Sequence, residues 1–209
     1  MTVKENIINL LSGQFSHLLS EITSNIKEEL VKINNAYKVF SSIAGGAFHY
    51  SDILAKSRIN TTSSLYDTLE VLRKMDLISY VCPINDKNNK KKFGYVLTDS
   101  AVFFYYKFIY HNLSSQNILN DEMFYDNYIE EGFLNDFVPK AFEKIAKQYL
   151  IRKNMEGLIK PFIEDIGTYW YDNPKEKNNG QFDLVTKSKD GYIVYEVKFT
   201  NSLNLLILK

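Results

Sequence analysis

The 209-residue sequence predicts an α+β chain: an N-terminal helical part shaped as a winged helix-turn-helix, then an α/β part. Two observations carry this. Over residues 35–98, three short helical stretches precede two apolar strands that flank a lysine-rich loop. From residue 135 onward, one amphipathic helix is followed by three strand-like runs, the last two forming a hairpin.

Residues 3–34 repeat apolar side chains every three or four positions, with Ile7, Leu10, Leu11, Leu18, Leu19, Ile22, Ile26, Leu30 and Ile33 on the stripe and Gly13 as a break. Nothing in them suggests chemistry. "NAYKVFSSIAGG" predicts a helix stopped by Gly45 and Gly46. "HYSDILAKS" predicts a second, with Ser51 as its cap. "RINTTSSLYDTLEVLRKMDLI" predicts a third, with Leu65, Leu69 and Leu72 on its inner face. "LISYVCPI" and "KFGYVLT" are the strands around "NDKNNKKK".

In a winged helix the third helix enters the major groove. Thr61, Thr62 and Ser63 at its start are then expected to meet bases or phosphates, and Lys87, Lys90, Lys91 and Lys92 in the wing to neutralise phosphates. The competing reading is an interaction or spacer module whose lysine run is a solvated loop, and Asp67, Glu70 and Asp86 lie in the same elements. "DSAVFFYYKFIYHN" (99–112) predicts a helix packed hard on its neighbours, and the polar, then acidic-aromatic stretch after it a helical linker reaching 134.

"NDFVPKAFEKIAKQYLIRK" (135–153) predicts a helix with Val138, Phe142, Ile145 and Tyr149 as its apolar stripe. Pro139 belongs in a first turn, so the start falls near Asp136 or Phe137. "IEDIGTYWYD" predicts a strand, and "GQFDLVTKSKDGYIVYEVKFT" (180–200) a hairpin. A four-residue turn over 188–191 sets Asp183 across from Glu196; a five-residue turn sets it opposite Tyr195. With the first register two carboxylates converge, a donor set suited to Mg²⁺ or Mn²⁺. Lys198, two residues on along the same face, is placed to orient an attacking water. Glu143 on the preceding helix is a third carboxylate, or the i,i+4 partner of Lys147.

Lysine plus arginine and aspartate plus glutamate number 25 each, so nothing draws the whole chain to nucleic acid, and any such attraction is local. One cysteine, Cys82, excludes an internal disulfide and a cysteine-rich zinc site. His17, His49 and His111 lack ligand spacing. The N-terminus has no signal-peptide core, and the longest aromatic run is too short for a membrane span of ~20 residues. A cytoplasmic protein with no membrane partner is expected.

Asp183, then Glu196-Val197-Lys198, with Glu143 on a helix before them, resembles the PD-(D/E)xK nuclease superfamily, whose core is restriction-endonuclease-like. Taken with "YVLTDSAVFFYYKFIYHN" and "FVPKAFEKIAKQYL", the order is similar to the C-terminal region of a family of archaeal and bacterial AAA-type ATPases, over roughly residues 20–200. There a winged helix follows the ATPase module, and a nuclease-like domain of unknown function comes last.

The resemblance implies metal-binding acids at Asp183 and Glu196, a catalytic lysine at Lys198 and a helical acid at Glu143. It implies a layout of a helical segment (1–34), winged helix (35–98), helical linker (99–134) and nuclease-like domain (135–209). No G-x-x-x-x-G-K-[ST] occurs, so no ATP site of that kind is expected. Only eleven residues follow Lys198, whereas a nuclease core continues through another helix and strand; a truncated domain is expected, its sheet edge covered by a second copy or an ATPase module. The expected activity is DNA binding with metal-dependent phosphodiester hydrolysis; the alternative is a non-catalytic DNA-binding or interaction module, the C-terminal fragment of an AAA-type ATPase.

Overall fold

The computed structural model of the protein describes residues 1–13, 16–30, 35–89, 92–173, 176 and 178–198, with the backbone alone at 25–30 and 172–173. Helices and small antiparallel sheets make up the fold, an α+β arrangement. The chain divides into two compact units, Met1–Val81 with Gly94–Gly132, and Cys82–Phe93 with Phe133–Lys209.

In the first unit α1 (Val3–Ile7) runs into a π-helical turn, Ile8–Ser12, and α2 spans His17–Leu30. Then come α3 (Ala36–Ala44), α4 (Tyr50–Ser57) and α5 (Thr62–Lys74). The strands β1 (Ile78–Val81) and β2 (Gly94–Leu97) pair antiparallel with Ile78 opposite Leu97 and Val81 opposite Gly94. The expected helix–helix–helix–ribbon order is therefore present. Ser51, expected to cap α4, lies inside it; the helix begins after His49, whose backbone N–H donates to the Asp52 carboxylate at 3.1 Å. That bond holds Asp52 below the usual carboxylate range.

The core of this unit is built from Val39, Phe40, Ile53, Leu65, Leu69, Leu72 and Ile78, all essentially buried. The aromatic run closes it through α6 (Ser100–Phe104), a π-helical turn at Tyr105–Ile109 and a 3₁₀ turn at Tyr110–Asn112. Tyr105, Tyr106, Phe108 and Ile109 are all buried, which confirms the hard packing expected of this stretch. Tyr106 meets Phe40 edge-on at 5.3 Å, and burial pushes its phenol well above the ordinary tyrosine value. The short helices α7 (Leu113–Ile118), α8 (Asp121–Tyr128) and α9 (Glu130–Gly132) complete the unit.

In the second unit a π-helical turn, Phe133–Phe137, leads into α10 (Val138–Met155), with Pro139 in the first turn as its missing N–H requires. The sheet has the order β3 (Asp165–Asn173), β4 (Asn178–Ser188), β5 (Gly191–Tyr195), all antiparallel. Leu184, Val185 and Thr186 of β4 are its buried centre. The stripe expected to bury α10 is open at its end: Ile145 and Tyr149 are 57% and 59% exposed. Amphipathic spacing names a face but not the element that covers it.

Candidate functional site

The hairpin follows the first of the two registers read from the sequence. Ser188 pairs with Gly191, and the ladder runs through Val185–Val194 to Leu184–Tyr195. One more step would oppose Asp183 to Glu196. The ladder stops short of it: β5 ends at Tyr195, and residues 196–198 have no regular structure.

An irregularity lies on the other side of β4. Between the Gly167–Val185 and Tyr169–Phe182 pairs, β3 contributes only Thr168 while β4 contributes Asp183 and Leu184. Two residues against one make a β-bulge, which bends the strand and re-aims the side chains within it. Asp183 is therefore presented from an irregular point on an exposed part of the strand. Gln181 Nε2 donates to its Oδ1 at 3.1 Å, an amide that the sequence pattern alone gave no reason to include.

Glu143 is half-buried on α10, and its carboxyl is pushed above the usual range, first by burial and then by the charge of Asp183; Lys140 pulls it partly back. Of the four expected site residues, Glu143 on α10 thus feels the charge of Asp183 on β4, two elements that pack together. The other two pair with each other: Lys198 Nζ lies 2.5 Å from Glu196 Oε1, both side chains open to solvent.

A divalent cation suits Glu143 and Asp183 in kind. Both present oxygen donors, and their mutual repulsion is what a hard cation relieves. Glu196 is turned to Lys198 instead, and among the described residues no three His, Cys, Asp or Glu side chains gather into a metal-holding group. The donors fit as half a site.

The expected nucleic-acid residues fall in two places. Thr61, Thr62 and Ser63 are exposed at the start of α5. Thr61 is its N-cap, Oγ1 accepting the Ser64 N–H at 3.2 Å, and the Thr62 carbonyl accepts the Tyr50 hydroxyl at 2.6 Å. Lys87 and Lys92 both face carboxylates, Asp165 Oδ2 at 2.5 Å and Asp86 Oδ2 at 3.0 Å. Lys90 and Lys91 lie outside the described residues.

The segment Cys82–Phe93 that carries these lysines is more than a solvated loop. Pro83 and Ile84 are buried, and Ile84 donates its N–H to the Thr168 carbonyl of β3 at 2.8 Å. The Asn85 amide brackets Trp170, donating to its carbonyl at 2.7 Å and accepting its N–H at 3.2 Å. The apolar "CPI" before the polar run was the available signal for this docking.

Comparison with known proteins gives similarities without an activity. Residues 105–206 match the model of DUF234, a family described as archaea bacterial proteins of unknown function. The chain is also similar to an uncharacterized protein of Methanocaldococcus jannaschii, 28% identical over 158 residues, which cover 75% of this chain and 34% of that protein. The aligned region therefore spans about a third of the relative's length. No solved structure matches. No helix among the described residues is long and apolar enough to cross a membrane.

Proposed function

We propose that this chain is a DNA-binding protein whose second unit is a nuclease-like domain for divalent-metal-dependent phosphodiester hydrolysis. In this reading α3, α4, α5 and the β1–β2 ribbon form a winged helix, and Thr61, Thr62 and Ser63 approach the duplex. The second unit is a restriction-endonuclease-like core. The observation that carries the reading is that α10 packs on β4 and the charge of Asp183 is felt at Glu143, on the helix and strand where a nuclease-like site would have its acids.

Glu143 and Asp183 would hold Mg²⁺ or Mn²⁺, joined by Glu196 once its carboxylate leaves Lys198. The ion would supply charge stabilisation at the phosphate and a more acidic bound water. Gln181 fixes the Asp183 carboxylate through its hydrogen bond, and Lys198, released from Glu196, orients the water that attacks phosphorus as the ester oxygen departs.

A second reading is a non-catalytic DNA-binding or interaction module with a nuclease-like skeleton. The Glu196–Lys198 ion pair favours it, because each group satisfies the other. One gel separates the two: labelled duplex DNA with the protein and Mn²⁺ or EDTA, beside Glu196→Gln. Metal-dependent cutting lost in the variant supports the nuclease. Retardation without cutting supports the second reading, and cutting that survives in Glu196→Gln rejects the assigned site.

A further inference from the structure

We propose that the segment joining β1 to β2 is a latch on the edge of β3, and that nucleic-acid phosphate and Asp165 compete for its Lys87. The inference rests on the DNA-binding reading above.

The strand β3 ends the β3-β4-β5 sheet, so one of its edges is not paired with β4. An open edge offers backbone donors and acceptors to any passing strand. Here three successive groups of that edge are taken: the Thr168 carbonyl by the Ile84 N–H, and the Trp170 N–H and carbonyl by the Asn85 side chain. Asn85 thus imitates a backbone pair without extending the ladder, a form of strand addition.

Ile84 is the apolar anchor, 9% exposed. It sits so close to Gly167 that a Cβ there would lie 2.7 Å from Ile84 Cγ2, which explains a glycine in the interior of β3. The electrostatic catch is Lys87 against Asp165 at 2.5 Å, with side chains 52% and 26% exposed. Lys92 is occupied within the segment itself, by Asp86, whose carboxyl Lys92 and then Asn89 hold below its usual range.

Both described lysines of the segment are therefore neutralised where they stand. A phosphate that takes over Lys87 displaces Asp165, and doing so removes a charged tie between the segment and β3. The hydrogen bonds of Asn85 lie on an exposed rim, where water replaces them readily. DNA engagement and latch closure then oppose each other.

The test uses the full chain and a labelled duplex. Asp165→Asn frees Lys87 and keeps the side-chain shape. It is expected to bind the duplex about three- to tenfold more tightly near ~0.1 M salt, with the slope of log K against log salt steeper by about one. Unchanged or weaker binding at an unchanged slope overturns the competition.

Hydrogen exchange supplies the independent readout. Asn85→Ala should speed exchange of the Trp170 amide, and saturating the wild type with duplex should speed exchange at Ile84 and Trp170. If the duplex binds and these amides keep their rates, the latch is rejected while the DNA-binding reading stands. If neither wild type nor variants bind the duplex, the DNA-binding reading fails and the competition falls with it.

Discussion

Gly191 closes the hairpin on which the position of Asp183 depends, and replacing it with alanine gives a worked prediction. Its φ is +121°, a region that side chains with a Cβ rarely adopt, and a Cβ there would meet nothing within 4 Å. The cost of Gly191→Ala is thus conformational, about 1–3 kcal/mol for holding a non-glycine residue in such a region. A stiffer unfolded chain returns ~0.4–1 kcal/mol. The net loss is about 1–2 kcal/mol.

With a urea slope of ~2 kcal/mol per molar, the unfolding midpoint should fall by about 0.5–1 M. Trp170, the one tryptophan in the sequence, lies on β3 of the same sheet, so its fluorescence reports this unit. A midpoint that is unchanged or raised would refute the turn geometry, and with it the register that carries Asp183 toward Glu196.

Two further predictions concern a half-buried carboxyl and a helix cap. Because burial and Asp183 raise the Glu143 carboxyl, the folded state holds that proton more tightly than the unfolded chain; the stability this adds is complete at acid pH and fades as pH rises through the raised value. Glu143→Gln should therefore be more stable than wild type at neutral pH, the gap closing on acidification; parallel urea midpoints from acid to neutral pH would contradict it. Thr61→Ala removes the cap of α5 and should cost about 1 kcal/mol in a circular-dichroism melt, whereas an unchanged melt would show that the Ser64 N–H has an equally good partner in water.

The sequence was most legible where local rules decide the outcome. Pro139 marked the first turn of α10, and Leu65, Leu69 and Leu72 marked the inner face of α5. Lys189, Asp190 and Gly191 are residues of a short hairpin turn, and the ladder adopts the register that such a turn sets. What stayed hidden depends on partners distant in the chain. The bulge at Asp183 arises from the register of β4 on β3, which nothing within 180–200 encodes.

The docking of Ile84 depends on Gly167, more than eighty residues away, so nothing in the lysine run announced it. The stripe of α10 showed the opposite difficulty. Its period was correct, yet Ile145 and Tyr149 remain exposed because periodicity does not supply a neighbour. The ion pair of Glu196 with Lys198 is a contact between near neighbours in the chain, but alternation along a continuing strand set the two side by side on one face and gave no reason for them to close on each other.

In the proposed nuclease-like reading, Glu143 and Asp183 are two ligands of one cation. The most direct measurement is a Mn²⁺ titration of the full chain followed by electron paramagnetic resonance, repeated with Asp183→Asn and Glu143→Gln. The expected result is a single class of bound Mn²⁺ that Mg²⁺ displaces and that is lost or greatly weakened in Asp183→Asn, with a smaller loss in Glu143→Gln. Absence of binding, or binding that both variants retain in full, would contradict it.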